Sequence, residues 1–280
     1  MDGSCNVWTV ATGEFQQKFY GHRGAISAVA CSPDESLLAT GSFDRCAQVW
    51  NRANGKSIRQ CRGHRSTVSA IAFSHDQAML ATGSEDGAVW IWGIRDGTES
   101  ALKGHDSTIT SIYFSASGDL LATGGADGRV IIWTTSEFEP VRVVKGHTCG
   151  VTSVTLADDD SLLGVGYLDG VAKIFDVETG QATMLLKGHQ LTYKLRSIVF
   201  SPAGTLIATG SDDGTLRIWS VSTGECKDVL HGPVSRTTRR VAAVRSVAFV
   251  NGIPGQTVMA AGLPGPPADS RAPSKQLQDS

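Results

Sequence analysis

The amino-acid sequence predicts an all-β fold assembled from repeats, and three observations carry that reading. Gly-His pairs stand at Gly21-His22, Gly63-His64, Gly104-His105, Gly146-His147 and Gly188-His189, in steps of 42, 41, 42 and 42 residues. A fixed period of that length is the mark of a repeat architecture. Aspartates keep the same phase at Asp2, Asp44, Asp86, Asp127, Asp169 and Asp213, and an aromatic follows each at Trp8, Trp50, Trp92, Trp133, Phe175 and Trp219. Between these markers lie short apolar stretches separated by turn residues, roughly every 8–12 positions, which is the pattern of an all-β chain.

One repeat shows why each element forms. Ile26 to Cys31 alternates apolar and small residues and reads as a strand, a. Ser32-Pro33-Asp34-Glu35 is a turn, because Pro fixes φ and Asp can bond its own backbone. Leu37 to Gly41 is strand b, Phe43-Asp44-Arg45 a tight turn, and Ala47 to Trp50 strand c. Asn54-Gly55 closes a hairpin, since both residues accept positive φ, and Ser57 to Cys61 is the outer strand d. Asp96-Gly97, Thr179-Gly180 and Thr223-Gly224 repeat that last turn. The copy over 147–175 is the weakest, with Val165 for Thr and Phe175 for Trp, and is expected to be the least firmly tied. At the ends, Asp2 to Phe19 supplies only strands c and d, while Val244 to Phe249 and Thr257 to Gly262 supply only a and b. The repeat domain therefore covers 1–262, and the polar, Pro-rich tail 263–280 is expected to be disordered.

These in-phase residues resemble the WD-repeat family over roughly Asp2 to Gly262. The resemblance implies a β-propeller of four-stranded antiparallel blades. The two half-repeats would join as a sixth blade, closing the ring with N-terminal strands c and d and C-terminal strands a and b. The alternative is an incomplete seven-bladed ring.

Composition narrows the function. The net charge of −2 gives no global electrostatic case for nucleic acid or an anionic membrane. No apolar run approaches the ~18 residues of a membrane helix. The opening MDGSCNVWTVATG lacks the parts of a signal peptide. Six scattered cysteines form no CxxC pair, so neither a zinc site nor any cofactor is expected, and free thiols suggest the cytoplasm or nucleus. Cys31 stands where other copies carry Phe73, Phe114, Leu156, Phe200 and Phe249, and reads as a buried thiol.

His, hydroxyl and carboxylate at fixed spacing invite comparison with a catalytic triad. The group recurs four times, however, as His22/Thr40/Asp44/Trp50, His64/Thr82/Asp86/Trp92, His105/Thr123/Asp127/Trp133 and His189/Thr209/Asp213/Trp219. An active site is one place, so no catalytic residue is expected. The resemblance implies instead a structural hydrogen-bond chain within each blade, and the donor and acceptor inventory of the four side chains allows it. Function then falls to the d–a and b–c loops, which in a propeller gather on one face. Candidate partner-binding residues there are Arg23, Phe43, Arg45, Arg65, Glu85 and Leu168, with Tyr193 and Lys194 in a lengthened loop. A longer loop between His231 and Phe249 carries Arg236, Arg239, Arg240 and Arg245 and suggests acidic, phosphorylated or RNA partners. Leu80 to Arg95 is similar to the box by which some WD proteins dock on the adaptor of cullin-type ubiquitin ligases. Thr82, Gly83, Ser84, Asp86, Trp92 and Arg95 match it, and Gly93 stands where an acidic residue is expected. The expected function is a non-catalytic scaffold binding proteins or peptides, with ligase substrate reception and an RNA-associated role as alternatives.

Overall fold

The computed structural model describes residues 3–9, 12–232 and 242–250, and the backbone of 257–261. Among these residues there are 24 strands and no helix. Five four-stranded meanders follow one another. Blade 1 comprises β3 (Ile26–Cys31), β4 (Leu37–Ser42), β5 (Cys46–Asn51) and β6 (Ser57–Arg62), preceded by β1 (Ser4–Trp8) and β2 (Phe15–Tyr20). Blade 2 comprises β7 (Val68–Phe73), β8 (Met79–Ser84), β9 (Val89–Gly93) and β10 (Glu99–Leu102). Blade 3 comprises β11 (Ile109–Phe114), β12 (Leu120–Gly125), β13 (Val130–Thr134) and β14 (Pro140–Val144). Blade 4 comprises β15 (Val151–Leu156), β16 (Leu162–Tyr167), β17 (Ala172–Asp176) and β18 (Ala182–Leu186). Blade 5 comprises β19 (Leu195–Phe200), β20 (Leu206–Ser211), β21 (Thr215–Ser220) and β22 (Cys226–His231), followed by β23 (Ser246–Val250) and β24 (Thr257–Ala261). Every pairing is antiparallel between strands adjacent in sequence, and the predicted turns form: Ser36 N–H donates to Asp34 Oδ1 at 2.9 Å, and Gly55 takes φ +70°.

The core lies between blades. One cluster joins Ala81, Ile91 and Leu102 of blade 2 to Ile109, Leu121 and Trp133 of blade 3. This packing explains the glycine of the Thr-Gly motif. A Cβ on Gly41, Gly124 or Gly210 would sit 2.6–2.7 Å from Val68, Val151 or Val244, the residue that opens or leads into the next inner strand. Gly83 meets Ile109 in the same way. Removing a side chain such as Ile109 would cost ~2–5 kcal/mol, because the seam cannot collapse onto the space left.

A second repeated contact stitches the inner strands. Ser27 Oγ–H donates to Val68 O at 2.5 Å and Ser69 Oγ–H to Ile109 O at 2.5 Å. Ser111, Ser153 and Ser197 accept from Val154, Ile198 and Val247 N–H at 3.1–3.3 Å. The inner strands surround one cavity of about 370 Å³, lined by Pro33, Phe73, Phe114, Asp158, Phe200 and Phe249, one residue from each blade and one from β23. This is the arrangement of a β-propeller.

At the ends, β1–β2 and β23–β24 form separate two-stranded sheets. The β24–β1 ladder that would fuse them into a sixth blade is not formed among the described residues. The consequence is visible beside that seam. Trp8 is 55% exposed, whereas its counterparts Trp50, Trp92 and Trp219 are at most 3% exposed. Val29 on β3 is 51% exposed, whereas Ile112, Val154 and Ile198 are buried. Cys31 is exposed as well, which corrects the expectation of a buried thiol, because among the described residues no inner strand is paired with the free edge of β3. Asp2 and the tail 263–280 lie outside the described residues.

Candidate functional site

Three of the four repeated His/Thr/Asp/Trp groups assemble in full, and their polarity follows from chemistry. The carboxylate can only accept, so His Nδ1 must donate to it and Nε2 must accept. In blade 5, His189 Nδ1–H donates to Asp213 at 2.9 Å, Thr209 Oγ1–H to His189 Nε2 at 2.7 Å, and Trp219 Nε1–H to Thr209 Oγ1 at 2.8 Å. Blade 1 repeats this through His22, Thr40, Asp44 and Trp50 at 2.8–2.9 Å. Blade 3 does so through His105, Thr123, Asp127 and Trp133 at 3.0 Å. Burial opposes the charge on Asp213 most strongly. Hydrogen bonds from Thr215, His189 and the Gln190 N–H outweigh it and hold the carboxyl below its usual range. Burial also lowers the His189 and His64 pKa values, against the pull of their aspartates. The imidazoles of blades 1, 3 and 5 are buried and hydrogen-bonded at both nitrogens, an arrangement that braces a blade.

Blade 2 corrects the expectation of a continuous chain through His64, Thr82, Asp86 and Trp92. The inner half holds: Trp92 Nε1–H donates to Thr82 Oγ1 at 2.8 Å, and the fully buried Thr82 Oγ1–H donates to His64 Nε2 at 2.7 Å. The outer half does not. His64 Nδ1 and Asp86 are 3.6 Å apart, an ion-pair contact beyond hydrogen-bond distance, so the link from Thr82 and His64 onward to the turn is weaker than in the other three blades. Asp86 itself is held by the Arg65 and Ala88 N–H groups at 2.6 and 2.9 Å, as the turn aspartates of the other blades are held by theirs.

Blade 4 departs further. Val165 and Phe175 supply neither hydroxyl nor indole, and both are buried. His147 turns: its Nδ1 accepts from the Thr148 and Cys149 N–H groups, and its Nε2–H faces Asp169 at 3.2 Å. This brings ligand-capable atoms of His147, Cys149 and Asp169 within 4.8 Å of one another, a grouping that the sequence did not suggest. The ring is satisfied by the protein's own groups there.

The d–a and b–c loops share one face, as the His–Asp contacts require. The structure gathers Arg23, Phe43 and Arg45 around a groove of about 610 Å³ on blade 1. It adds Arg62 and Gln60 from β6, which the sequence did not single out because strand d carries no repeated marker. The adjoining groove of about 540 Å³ on blade 2 is lined by Arg65, Lys103 and Trp90. Trp90 stacks on Trp92 with centroids 5.1 Å apart. Its signal was an aromatic where other copies have Gln48, Ile131, Lys173 and Arg217. Among the described residues, none of Arg23, Arg45, Arg62 and Arg65 is in an ion pair.

The other candidates lie elsewhere. Glu85 accepts from Ser66 Oγ–H at 3.1 Å. Leu168 and Tyr193 are exposed on neighbouring loops of blades 4 and 5, where Gly170 approaches the Tyr193 carbonyl. The Lys194 carbonyl accepts from the Asp212 N–H, which makes its backbone part of the frame. Arg196 is taken up by Asp212 at 2.6 Å. Arg236, Arg239 and Arg240 lie outside the described residues, and Arg245 is exposed. In the box-like stretch Arg95 is exposed, while Thr82 and Trp92 are wholly buried in the blade and present no surface to an adaptor. Gly93 stands where Asp96 and Thr98 leave no room for a Cβ without moving.

One backbone feature separates blade 1. The residue after the turn aspartate is Gly87, Gly128, Gly170 or Gly214 in blades 2–5, with φ between +78° and +82°. In blade 1 it is Arg45, at φ +69°. A left-handed non-glycine residue costs roughly 1–2 kcal/mol, and here the strain places a guanidinium at the groove.

The family model described as WD domain, G-beta repeat matches residues 13–51, 55–93, 98–134, 138–176 and 180–220. Each matched unit opens at or just before an outer strand and ends with the strand c of the following blade, so sequence unit and structural blade are offset by one strand. No curated protein matches the chain closely enough to count as a relative.

Proposed function

Because the chain belongs to the WD-repeat family, we propose that it is a non-catalytic scaffold that assembles a multiprotein complex through its d–a and b–c loops. WD repeats build platforms for protein–protein interaction, and the repeated polar groups here are occupied in bracing the blades. The observation that carries the reading is Phe43. It is 58% exposed and stands among three arginines without ion-pair partners at the edge of a groove. An accessible aromatic beside arginines is the composition of an interface hot spot. The expected compartments are the cytoplasm and nucleus. Affinity purification of the wild type against Phe43→Ala tests the proposal. The variant should lose a defined subset of partners while keeping its melting temperature. An identical set of partners would refute the role given to this face.

A further inference from the structure

We propose that the groove on blade 1 is a recognition site for a peptide carrying phosphoserine or phosphothreonine, a reading that rests on the scaffold role above and names its ligand. Three guanidiniums, Arg23, Arg45 and Arg62, line one concavity of about 610 Å³ with Phe43. All three arginines are exposed and free of ion pairs among the described residues. Arg62 is steadied by donating to Gln60 Oε1 at 3.0 Å. The one carboxylate in the groove, Asp44, is already engaged by His22 Nδ1–H and by the Arg23 and Cys46 N–H groups. The Cys46 thiol senses the cluster. Burial and Asp44 raise its pKa, and Arg62 and Arg45 both pull it back. The groove therefore offers three arginines along one concavity whose single carboxylate is already hydrogen-bonded.

Arg45 gives the site its specificity to this blade. Five such positions carry glycine, Gly3 among them, and only blade 1 holds a side chain in the left-handed region there. A positively charged residue kept where glycine is the unstrained choice points to a use for its charge. A carboxylate fills one guanidinium fork, whereas a phosphate dianion presents three acceptor oxygens and matches three arginines. Phe43 supplies an apolar contact for the residue beside the phosphate. The neighbouring groove shares Gly63 and continues with Arg65, Lys103 and Trp90, so an extended peptide can run across both. Nucleic acid is disfavoured by the overall charge of −2, since its binding draws on a broad positive field.

The test is fluorescence anisotropy with the intact chain. The probes are a labelled ten-residue peptide library with central phosphothreonine flanked by apolar residues, its unphosphorylated twin, a glutamate-substituted twin, and a ten-nucleotide single-stranded RNA. The phosphorylated library should bind at least about tenfold tighter than either twin. Arg45→Gly should weaken it by about tenfold or more, while the melting temperature stays the same or rises because the strained turn is relieved. Equal binding of phosphorylated and unphosphorylated peptides, unchanged binding by Arg45→Gly, or preferential binding of the RNA would each overturn the proposal. If the phosphopeptide fails yet Phe43→Ala still loses cellular partners, the ligand assignment falls and the scaffold reading stands. If both fail, both fall.

Discussion

Blades 4 and 5 are neighbours with the same strand order and the same turn aspartate, yet they are held by different chemistry. Blade 5 threads a hydrogen-bond chain from Trp219 through Thr209 and His189 to Asp213, with the last two side chains almost wholly buried. Blade 4 has Val165 for the hydroxyl and Phe175 for the indole, so that chain cannot form. The space is filled instead. Tyr167, where blade 5 has Ser211, is fully buried with Val165 and Phe175 in one apolar cluster. Phe175 and Tyr167 close on the α-carbon of Gly146 as Trp219 and Arg217 close on Gly188. Lys173 Nζ–H also reaches the Gly146 carbonyl at 2.5 Å. The expectation that this copy is the loosest counted its missing donors and left out the compensating bulk of Tyr167. A buried polar network and a packed apolar cluster can serve the same position, provided that neither is left half-built.

Exchanging single parts between the two blades breaks the comparison most sharply. Thr209→Val strands two buried groups at once, His189 Nε2 and Trp219 Nε1, at ~2–4 kcal/mol. At ~2–4 °C per kcal/mol for a domain of this size, the melting temperature should fall by about 4–16 °C in calorimetry. A drop under about 2 °C would mean that the network is not bracing the blade. Asp213→Ala should come next at ~2 kcal/mol, and Asp86→Ala should cost about half as much. The reason is geometric: Asp86 stands 3.6 Å from His64, whereas Asp213 is 2.9 Å from His189. Equal losses in the two variants, read from denaturant midpoints, would contradict the open link in blade 2. The smallest effect belongs to Val165→Thr, at ~0.5–1 kcal/mol. It restores the residue type of the other copies but buries a hydroxyl beside Phe175, which offers it no donor. A stabilised variant would show that blade 4 is merely a weakened copy of its neighbours.

The repeat, the strand order and most partners in the four hydrogen-bond groups were legible in the sequence because each is local or strictly periodic. His22 and Asp44 mark the same two loops in every copy, and the period alone aligns them. Periodicity did not show that His64 Nδ1 stands 3.6 Å from Asp86, because a difference of less than 1 Å between copies leaves no mark on residue spacing. The stitching serines were as periodic, at Ser27, Ser69, Ser111, Ser153 and Ser197, but small polar residues in strands read as filler until their neighbours are seen. The candidate site was half legible. Phe43, Arg23 and Arg45 stood out as departures from the loop pattern, while Arg62 on an outer strand and Trp90 on a third strand did not. Nothing in one repeat announces which strand of the same blade will wall its groove.

The sequence by itself determined that this is a repeat of four-stranded units and which loops vary from copy to copy. Its periodicity suffices for that, because each unit obeys the same short-range rules of alternation and turn chemistry. Only the tertiary structure decided three further matters. One is how the vacancy in blade 4 is filled. Another is that Cys31, Val29 and Trp8 are left exposed beside a seam with no β24–β1 ladder among the described residues. The third is that three arginines from three separate segments line one groove with Phe43. Each depends on contacts between residues far apart in the chain, and it is the packing of the surrounding structure, not spacing along the sequence, that brings them together.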